Sequence, residues 1–191
     1  MSFRAARKGP RVDGHCGGEI SMYLGNLMFL GEQDIEAIVR VETACFSSPW
    51  PRSIFVMDLG NSPSRRLLGE PKGAVYVGIF SRETLWGYGA CRWGKQVLSV
   101  MRLAVLPEAR RCGFASQLLL AMCVLGEEAE CRRVRLEVRE SNDGARAFYR
   151  LWGFSATDRQ KGYYAESGED ALVLEATLPL VLSDEEDASL P

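Results

Sequence analysis

The sequence predicts an α/β (α+β) domain in which a mixed, mostly antiparallel central sheet is flanked by helices. Three observations carry this prediction. Short β-rich segments joined by tight turns predict successive antiparallel strands. Segments with apolar residues at helical spacing lie between the other strands and predict helices. A length of 191 residues with 47% apolar side chains is enough for one domain with a sizeable core, and no internal repeat is present.

The first half of the chain predicts one strand, two helices and three further strands. Apolar residues at Ile35, Ile38 and Val39 follow early acids, as in an amphipathic helix, and Pro51 suits the first position of the next helix. We place the second turn of the three-strand run at Gly94-Lys95. The segments are strand 20–29, helix 32–46, helix 51–59, loop 61–72, and strands 74–80, 85–93 and 96–105.

The second half predicts an alternation of helices and strands. The segments are helix 114–129, strand 134–138, helix 143–152, and strands 154–164 and 171–178. We expect residues 1–19 to be a disordered leader, residues 20–180 to form the domain and residues 181–191 to be an acidic tail. Met22 is an alternative start, and one sequence does not decide between it and Met1.

A strand that runs through a small-residue turn into a helix is the most informative segment. In LAVLPEARRCGFASQLL, an apolar strand ends at Val105 and a turn containing Gly113 and Ala115 opens a helix. The first N–H groups of a helix have no intrahelical partners, and the helix dipole adds positive potential there. Phosphate oxygens bind well at such a turn. An ordinary turn before a helix would have the same pattern, so the segment alone leaves both interpretations open.

A second segment, LEVRESNDGARAFYRLWGF, follows about thirty residues later. Together the two segments resemble the GNAT superfamily of acetyl-CoA-dependent N-acetyltransferases, in the family's order and spacing. The resemblance implies a sheet whose fourth and fifth strands splay apart to admit acetyl-CoA, with no metal. It implies that the turn holds the coenzyme A pyrophosphate and that the fourth strand pairs with the pantetheine amides. The cofactor-binding residues implied are Leu103, Ala104, Val105, Arg111, Cys112, Gly113, Phe114, Ala115, Ser116 and Asn142.

Further segments are similar to the ribosomal-protein-alanine N-acetyltransferases, the RimI type. They are the LEVR run at 136–139, the FSSPWP segment at 46–51 and GYYAESGEDALVL at 162–174. The resemblance extends from about Met22 to Leu178. The chain departs from the pattern at Ala115, where glycine is usual, at Leu106, where an acid is common, and at Arg102, where Asn is expected at the floor of the acceptor site.

Two side chains are candidates for proton transfer. Glu137 lies within the apolar-flanked strand Val134-Arg135-Leu136-Glu137-Val138, where a carboxylate is costly unless it is used or paired. On pattern alone, an exposed strand face shared with Arg135 and Arg139 is an equal interpretation. The resemblance implies that Glu137 is the proton acceptor, because the RimI type has its base at the glutamate of the LEVR run.

Tyr149 is the matching candidate for proton donor. A phenol with a pKa near 10 is a suitable acid for a thiolate leaving group. A tyrosine beside Phe148 and Leu151 could equally be core, and the family pattern alone implies the role. Asn142 could bind cofactor or cap the helix. The only histidine, His15, lies in the leader, which excludes a histidine-based triad.

Composition excludes several classes of function. The net charge is −2, with basic residues concentrated in the leader and acids in the tail, so the part between is near neutral and nucleic-acid binding is not expected. No apolar run reaches the roughly 18 residues of a membrane helix, and the leader has no apolar signal core. The six cysteines have no C-x-x-C spacing, as in reduced thiols of a cytoplasmic protein rather than a disulfide framework or a zinc site.

The acceptor can be argued in part from the pKa of its amine. An α-amine near 7.8 is roughly 15% neutral at pH 7, whereas a lysine near 10.4 is about 0.04% neutral. A protein N-terminus therefore suits a partly exposed glutamate base, and the resemblance implies the N-terminal alanine of a small-subunit ribosomal protein. Pro49-Trp50-Pro51 and Tyr163-Tyr164 would wall the peptide groove, or pack at the domain edge. An enzyme for a small amine or lysine, and a non-catalytic acetyl-CoA-binding module, are the alternatives.

Overall fold

A computed structural model describes residues 24–60 and 73–182, and contains seven strands and four α-helices within those ranges. Short 3-10 turns at Glu32–Asp34 and Pro107–Ala109 lie before helices α1 and α3. The elements in chain order are β1 (Asn26–Phe29), α1 (Ile35–Cys45), α2 (Arg52–Gly60), β2 (Val75–Ser81), β3 (Thr84–Gly94), β4 (Val97–Val105), α3 (Phe114–Glu128), β5 (Arg133–Arg139), α4 (Asp143–Leu151), β6 (Ser155–Tyr164) and β7 (Glu169–Thr177).

The seven strands form one mixed sheet in the order β1-β2-β3-β4-β5-β7-β6. All neighbouring strands are antiparallel except β4 and β5, which are parallel. Parallel neighbours need a crossover connection, and α3 provides it here. The mixed, mostly antiparallel sheet flanked by helices is therefore confirmed.

Helices α1 and α3 cover opposite faces of this sheet. Successive strand residues point to opposite faces. On β3, the Tyr88 hydroxyl donates to Glu42 of α1, whereas the next residue, Gly89, lies against Met122 of α3, only 2.7 Å from where a Cβ would stand. Tyr88, Glu42 and Met122 are all buried, so the sheet carries a packed layer on each side of β3 and β4.

Strands β4 and β5 separate soon after they meet. Only three residue pairs join them, the last being Ser99 with Arg135. Opposite β3, the register of β4 slips between Ala90 and Cys91, which gives β4 one extra residue at Met101. Such a bulge bends a strand and increases its twist. The expected splay of the fourth and fifth strands is confirmed, and it starts beside this bulge.

The sequence predicted the type and order of the described elements, and the bounds differ in a few places. The turn placed at Gly94-Lys95 is wrong by one residue: Gly94 still pairs with Val97, and the loop is Lys95-Gln96, both at positive φ (52° and 61°) as in the primed turns that suit hairpins. The helix predicted from Glu32 begins as a 3-10 turn. The leader at 1–19, residues 20–23 of the first strand, the loop at 61–72 and residues 183–191 of the tail lie outside the described residues, and the domain bounds stay predictions.

Candidate active site

A pocket of about 520 Å³ lies where β4 and β5 separate. Residues 100–103 of β4 line one side and residues 136–139 of β5 the other. The remaining lining comes from the segment between α1 and α2, the start and middle of α4, and the β6–β7 hairpin. Of the predicted site residues, the pocket brings together four: Leu103, Glu137, Asn142 and Tyr149. The other eight lie at the end of β4, in the turn after it and in the first turn of α3.

The free edge of β4 presents backbone groups toward the gap. The Leu106 N–H donates to the Trp86 carbonyl at 2.9 Å. Bonded and non-bonded pairs alternate along an antiparallel ladder, so with this register the backbone of Ala104 faces β3, whereas the groups of Leu103 and Val105 face the gap. Of the three residues predicted to pair with pantetheine, Ala104 has its backbone groups directed to β3 and not to the gap.

The end of β4 is tied to the following turn through the Val105 carbonyl. It accepts hydrogen bonds from Arg110 Nε at 3.2 Å and from the Cys45 thiol at 3.3 Å. Arg111 and Gly113 both have positive φ, 65° and 81°, and Gly113 is the N-cap of α3. This cap has no side-chain hydrogen bond, so the turn leaves the first N–H groups of α3 without a side-chain acceptor, which is the geometry an anion needs.

Replacing Gly113 with valine is expected to abolish the rise in melting temperature that acetyl-CoA produces. Valine would stand at φ 81°, a conformation that β-branched residues strongly disfavour, and its side chain would cover the turn. Differential scanning fluorimetry with acetyl-CoA, and with acetyl-pantetheine that lacks the nucleotide, measures the effect. Acetyl-pantetheine should stabilise the wild type far less than acetyl-CoA.

Gly168→Val is the matched control for this variant. Gly168 has φ 68° in the β6–β7 turn and open space around it, so valine causes similar backbone strain away from the turn at 110–116. This control should keep the acetyl-CoA shift. Equal stabilisation of the wild type by both ligands, or a full shift in Gly113→Val, contradicts phosphate binding at this turn.

Glu137 lies on the half-buried face of β5 and lines the pocket. Its carboxylate is 3.3 Å from the Arg135 guanidinium, and its side chain is 27% exposed. The structure is compatible with both interpretations of Glu137, the paired residue of a strand face and the proton acceptor. Glu137 shares a strand face with Arg135, and it is also open to the gap. Arg139, the other expected partner on this face, is instead paired with Glu166 and Glu169.

Tyr149 is buried at the gap, on helix α4, and its ring packs against Phe148 and Phe154 at centroid distances of 5.1 and 5.3 Å. Burial raises the pKa of the Tyr149 phenol well above its ordinary value, with a smaller contribution from Tyr164. The hydroxyl therefore stays protonated throughout the physiological pH range. Asn142 caps α4, its Oδ1 accepting from Ala145 N at 3.1 Å, and it also lines the pocket.

A buried ion pair lies at the floor of the pocket and was not predicted. Glu42, 1% exposed, accepts from Arg102, from the Tyr88 hydroxyl and from the Trp50 N–H at 2.8 Å. The sequence contains a signal for it, because Glu42 lies on the buried face of α1 with Ile38 and Val41. An acid on the apolar face of an amphipathic helix needs a partner, although which residue provides it is not readable from the spacing.

The β6–β7 hairpin is held against the pocket by Arg139. Its guanidinium pairs with Glu166, donates to Glu169 at 3.0 Å and lies 3.8 Å from the centre of the Tyr164 ring. Hydrogen bonds and the nearby Arg139 charge lower the pKa of the Glu166 carboxyl. The Ser48 side chain makes a smaller contribution in the same direction, and Ser48 and Glu166 both line the pocket.

The described residues, 24–60 and 73–182, contain neither a metal site nor a disulfide. In these ranges, no group of three or more His, Cys, Asp or Glu side chains could hold a metal ion. The five cysteines of the same ranges are free thiols. None of the helices described is long and apolar enough to span a membrane.

The model of the family described as "Acetyltransferase (GNAT) family" matches residues 35–154 of this chain. This range includes β4 and β5, the turn between β4 and α3, and helix α4. The chain belongs to the GNAT family of acetyltransferases. The resemblance seen in the sequence is thereby confirmed, and so is the acetyltransferase class. Acetyl-CoA is the acetyl donor of this family.

Curated relatives and solved structures agree with this assignment. A Bacillus subtilis (strain 168) protein provisionally named a ribosomal protein bS18-alanine N-acetyltransferase is 30% identical over 146 residues, covering 76% of this chain and 91% of that protein. The Mycobacterium tuberculosis N-alpha-acetyltransferase RimI is 32% identical over 151 residues, covering 76% and 87%. The structure of the ribosomal-protein-S18-alanine N-acetyltransferase from Escherichia coli superposes with a TM-score of 0.68 at 21% identity, covering 85% and 98%, and shows the same fold.

Proposed function

We propose that the protein transfers acetyl from acetyl-CoA to the N-terminal α-amine of a protein. The observation that carries the proposal is the pocket itself: Glu137 from β5 and Tyr149 from α4 line the same gap between the separated strands. A carboxylate and a protonated phenol in one pocket form an acid–base pair of the kind that acyl transfer to an amine needs. The names of the two relatives above support an α-amine acceptor.

The donor would lie along the open edge of β4. The backbone groups of Leu103 and the N–H of Val105, which face the gap, suit the amides of the pantetheine arm, which would bind as an added strand. The segment from Arg111 to Ser116 would hold the pyrophosphate with the N–H groups at the start of α3. Asn142 would lie beside the arm with its amide nitrogen, since its Oδ1 is used by the helix cap.

In the transfer step, Glu137 would take a proton from the α-ammonium, directly or through one water. The neutral nitrogen then attacks the thioester carbonyl, a C–N bond forms and the C–S bond breaks. Tyr149 would give its proton to the departing thiolate, which leaves as coenzyme A. The amide nitrogen loses its remaining extra proton to solvent. Because burial raises the pKa of Tyr149, its proton is present at every pH at which the enzyme works.

The acceptor side of the pocket suits an extended N-terminus. Phe46, Trp50, Tyr163 and Tyr164 line it. Of the residues that the sequence suggested for a peptide groove, Trp50 and the two tyrosines are among these, whereas Pro49 and Pro51 do not line the pocket. Such aromatic rings offer apolar contact at low cost in side-chain entropy. Among N-terminal substrates, we propose the alanine of a small-subunit ribosomal protein, on the strength of the Bacillus subtilis relative's name. A cytoplasmic location follows from that substrate.

Acetylation of peptides with a free N-terminal alanine is expected, and N-formyl or N-acetyl versions should be inert. Internal lysines should react slowly, because the neutral fraction of a lysine at pH 7 is about 0.04%, against roughly 15% for an α-amine. Mass spectrometry locates the acetyl group, and a thiol assay for released coenzyme A gives the rate. Ribosomal proteins from a deletion strain, analysed in the same way, test the proposed substrate.

The decisive control is a peptide whose N-terminus is blocked and which contains one internal lysine. If it is acetylated as fast as the free alanine peptide, the acceptor is a lysine or a small amine and the proposal is wrong. If acetyl-CoA binds but no amine is acetylated, the chain is a binding module.

A further inference from the structure

The Arg102 guanidinium is enclosed by groups from helix α1 and from the segment 46–50 that follows it. It is paired with the buried Glu42 carboxylate of α1, and its side chain is 16% exposed. Its Cζ lies 3.6 Å from the centre of the Phe46 ring and 4.7 Å from that of Trp50. Its Nη2 is 3.4 Å from the Ser48 carbonyl. A planar guanidinium can pair with a carboxylate and stack on rings at the same time, which a lysine cannot do.

Glu42 also binds the segment 46–50 directly. One of its oxygens accepts the Trp50 N–H at 2.8 Å, and the other accepts the Tyr88 hydroxyl. The carboxylate therefore joins β3, β4 and the segment 46–50. Because Phe46, Ser48 and Trp50 all line the pocket, the position of this wall depends on the ion pair.

The Arg102–Glu42 ion pair lies on the side of the pocket proposed for the acceptor, away from the turn proposed for the acetyl donor. Arg102 and the residues it holds lie on the α1 face of the sheet, where Glu42 approaches β3. The turn proposed for the pyrophosphate lies beyond the end of β4. A loosened ion pair should thus move the wall at 46–50 and leave the turn in place.

We propose that Arg102, held by Glu42, is a positioning residue that fixes the acceptor wall and limits the acceptor to peptides with a small first side chain. This deepens the proposed function and rests on it. The guanidinium lies in contact with the Phe46 ring at the floor of the pocket, so a large first side chain would have to displace the stack. An asparagine, which the family resemblance leads one to expect here, is too short to make these contacts together.

Arg102→Lys tests the proposal, because it keeps a positive charge beside Glu42 but loses the planar fork and the stacking. We expect the KM for an alanine-first peptide to rise about tenfold, the factor for one hydrogen bond to a charged group. The preference for alanine-first over leucine-first peptides should fall, while kcat at saturating peptide and the KM for acetyl-CoA stay as in the wild type. Glu42→Gln, which keeps an oxygen for the Trp50 N–H, should act in the same direction.

Arg133→Lys is the matched control, since Arg133 is a 60% exposed strand arginine that pairs with Glu175 outside the pocket. It should leave all these constants unchanged. An unchanged peptide KM and preference in Arg102→Lys overturns the proposal. The proposal is also overturned if the KM for acetyl-CoA rises as much as the KM for the peptide, or if both Arg102→Lys and Glu42→Gln lose the acetyl-CoA melting shift. Either result would mean that the ion pair supports the whole fold and not the acceptor wall in particular. A wild-type enzyme inactive on every free N-terminus instead refutes the proposed function.

Discussion

Glu137→Gln is expected to lower kcat at pH 7 by about 10²–10⁴-fold, the usual contribution of a general base. Glutamine keeps the shape of the side chain and cannot take a proton. Rising pH supplies neutral α-amine through the amine's own pKa near 7.8, so the rate of the variant should partly recover between pH 7 and 9. A pH profile of kcat with a saturating alanine-first peptide measures both effects.

Glu175→Gln is the matched control for the base. Glu175 is a half-buried strand carboxylate on β7 that pairs with an arginine, as Glu137 does, but it lies outside the pocket. This variant should retain wild-type kcat at every pH. If Glu137→Gln also keeps wild-type kcat at pH 7, the carboxylate only pairs with Arg135 and the amine loses its proton to water.

Tyr149→Phe is expected to lower kcat by a similar factor, about 10²–10⁴-fold, and raised pH should not restore it. The variant lacks the proton for the departing thiolate, and more neutral amine does not supply that proton. Phenylalanine keeps the packing of the ring against Phe148 and Phe154, so acetyl-CoA affinity should stay near the wild-type value. The same pH profile, with calorimetry for acetyl-CoA binding, separates this variant from Glu137→Gln.

Tyr76→Phe controls for the loss of a buried phenol. Tyr76 is 1% exposed, donates to Asp58 at 2.7 Å and does not line the pocket. Its replacement should cost about 1 kcal/mol of stability, the usual value for one hydrogen bond, and leave kcat unchanged. Recovery of Tyr149→Phe at high pH, or an undiminished kcat, would show that the thiolate leaves without this acid.

The fold was predictable because its elements have strong local patterns. Along β5, Val134, Leu136 and Val138 are buried and the residues between them are not, which is the alternation read from the sequence. The turn between β3 and β4 was misplaced because glycine was taken as its marker. Lys95 and Gln96 adopt positive φ without glycine, since the hairpin imposes that conformation.

The candidate site was only partly predictable. The sequence placed Leu103, Glu137, Asn142 and Tyr149 through family motifs, and these residues line one pocket. The partners of Arg102 could not be read, because Glu42 is sixty positions away and only the packing of α1 on β3 and β4 brings the two together. The direction of the Ala104 backbone depends on the β3–β4 register, which the bulge beside Met101 sets.

The short contact between β4 and β5 has a consequence for cooperativity. With only three residue pairs across this seam, hydrogen bonding nearly divides the sheet into a four-stranded part, β1 to β4, and a three-stranded part, β5 to β7. Regions with few backbone bonds open locally at lower free energy than the whole domain. A ligand that binds only the closed form adds its binding free energy to the resistance against such opening. Bound acetyl-CoA would then raise the free energy of local opening between the two parts of the sheet, so that the two parts unfold together.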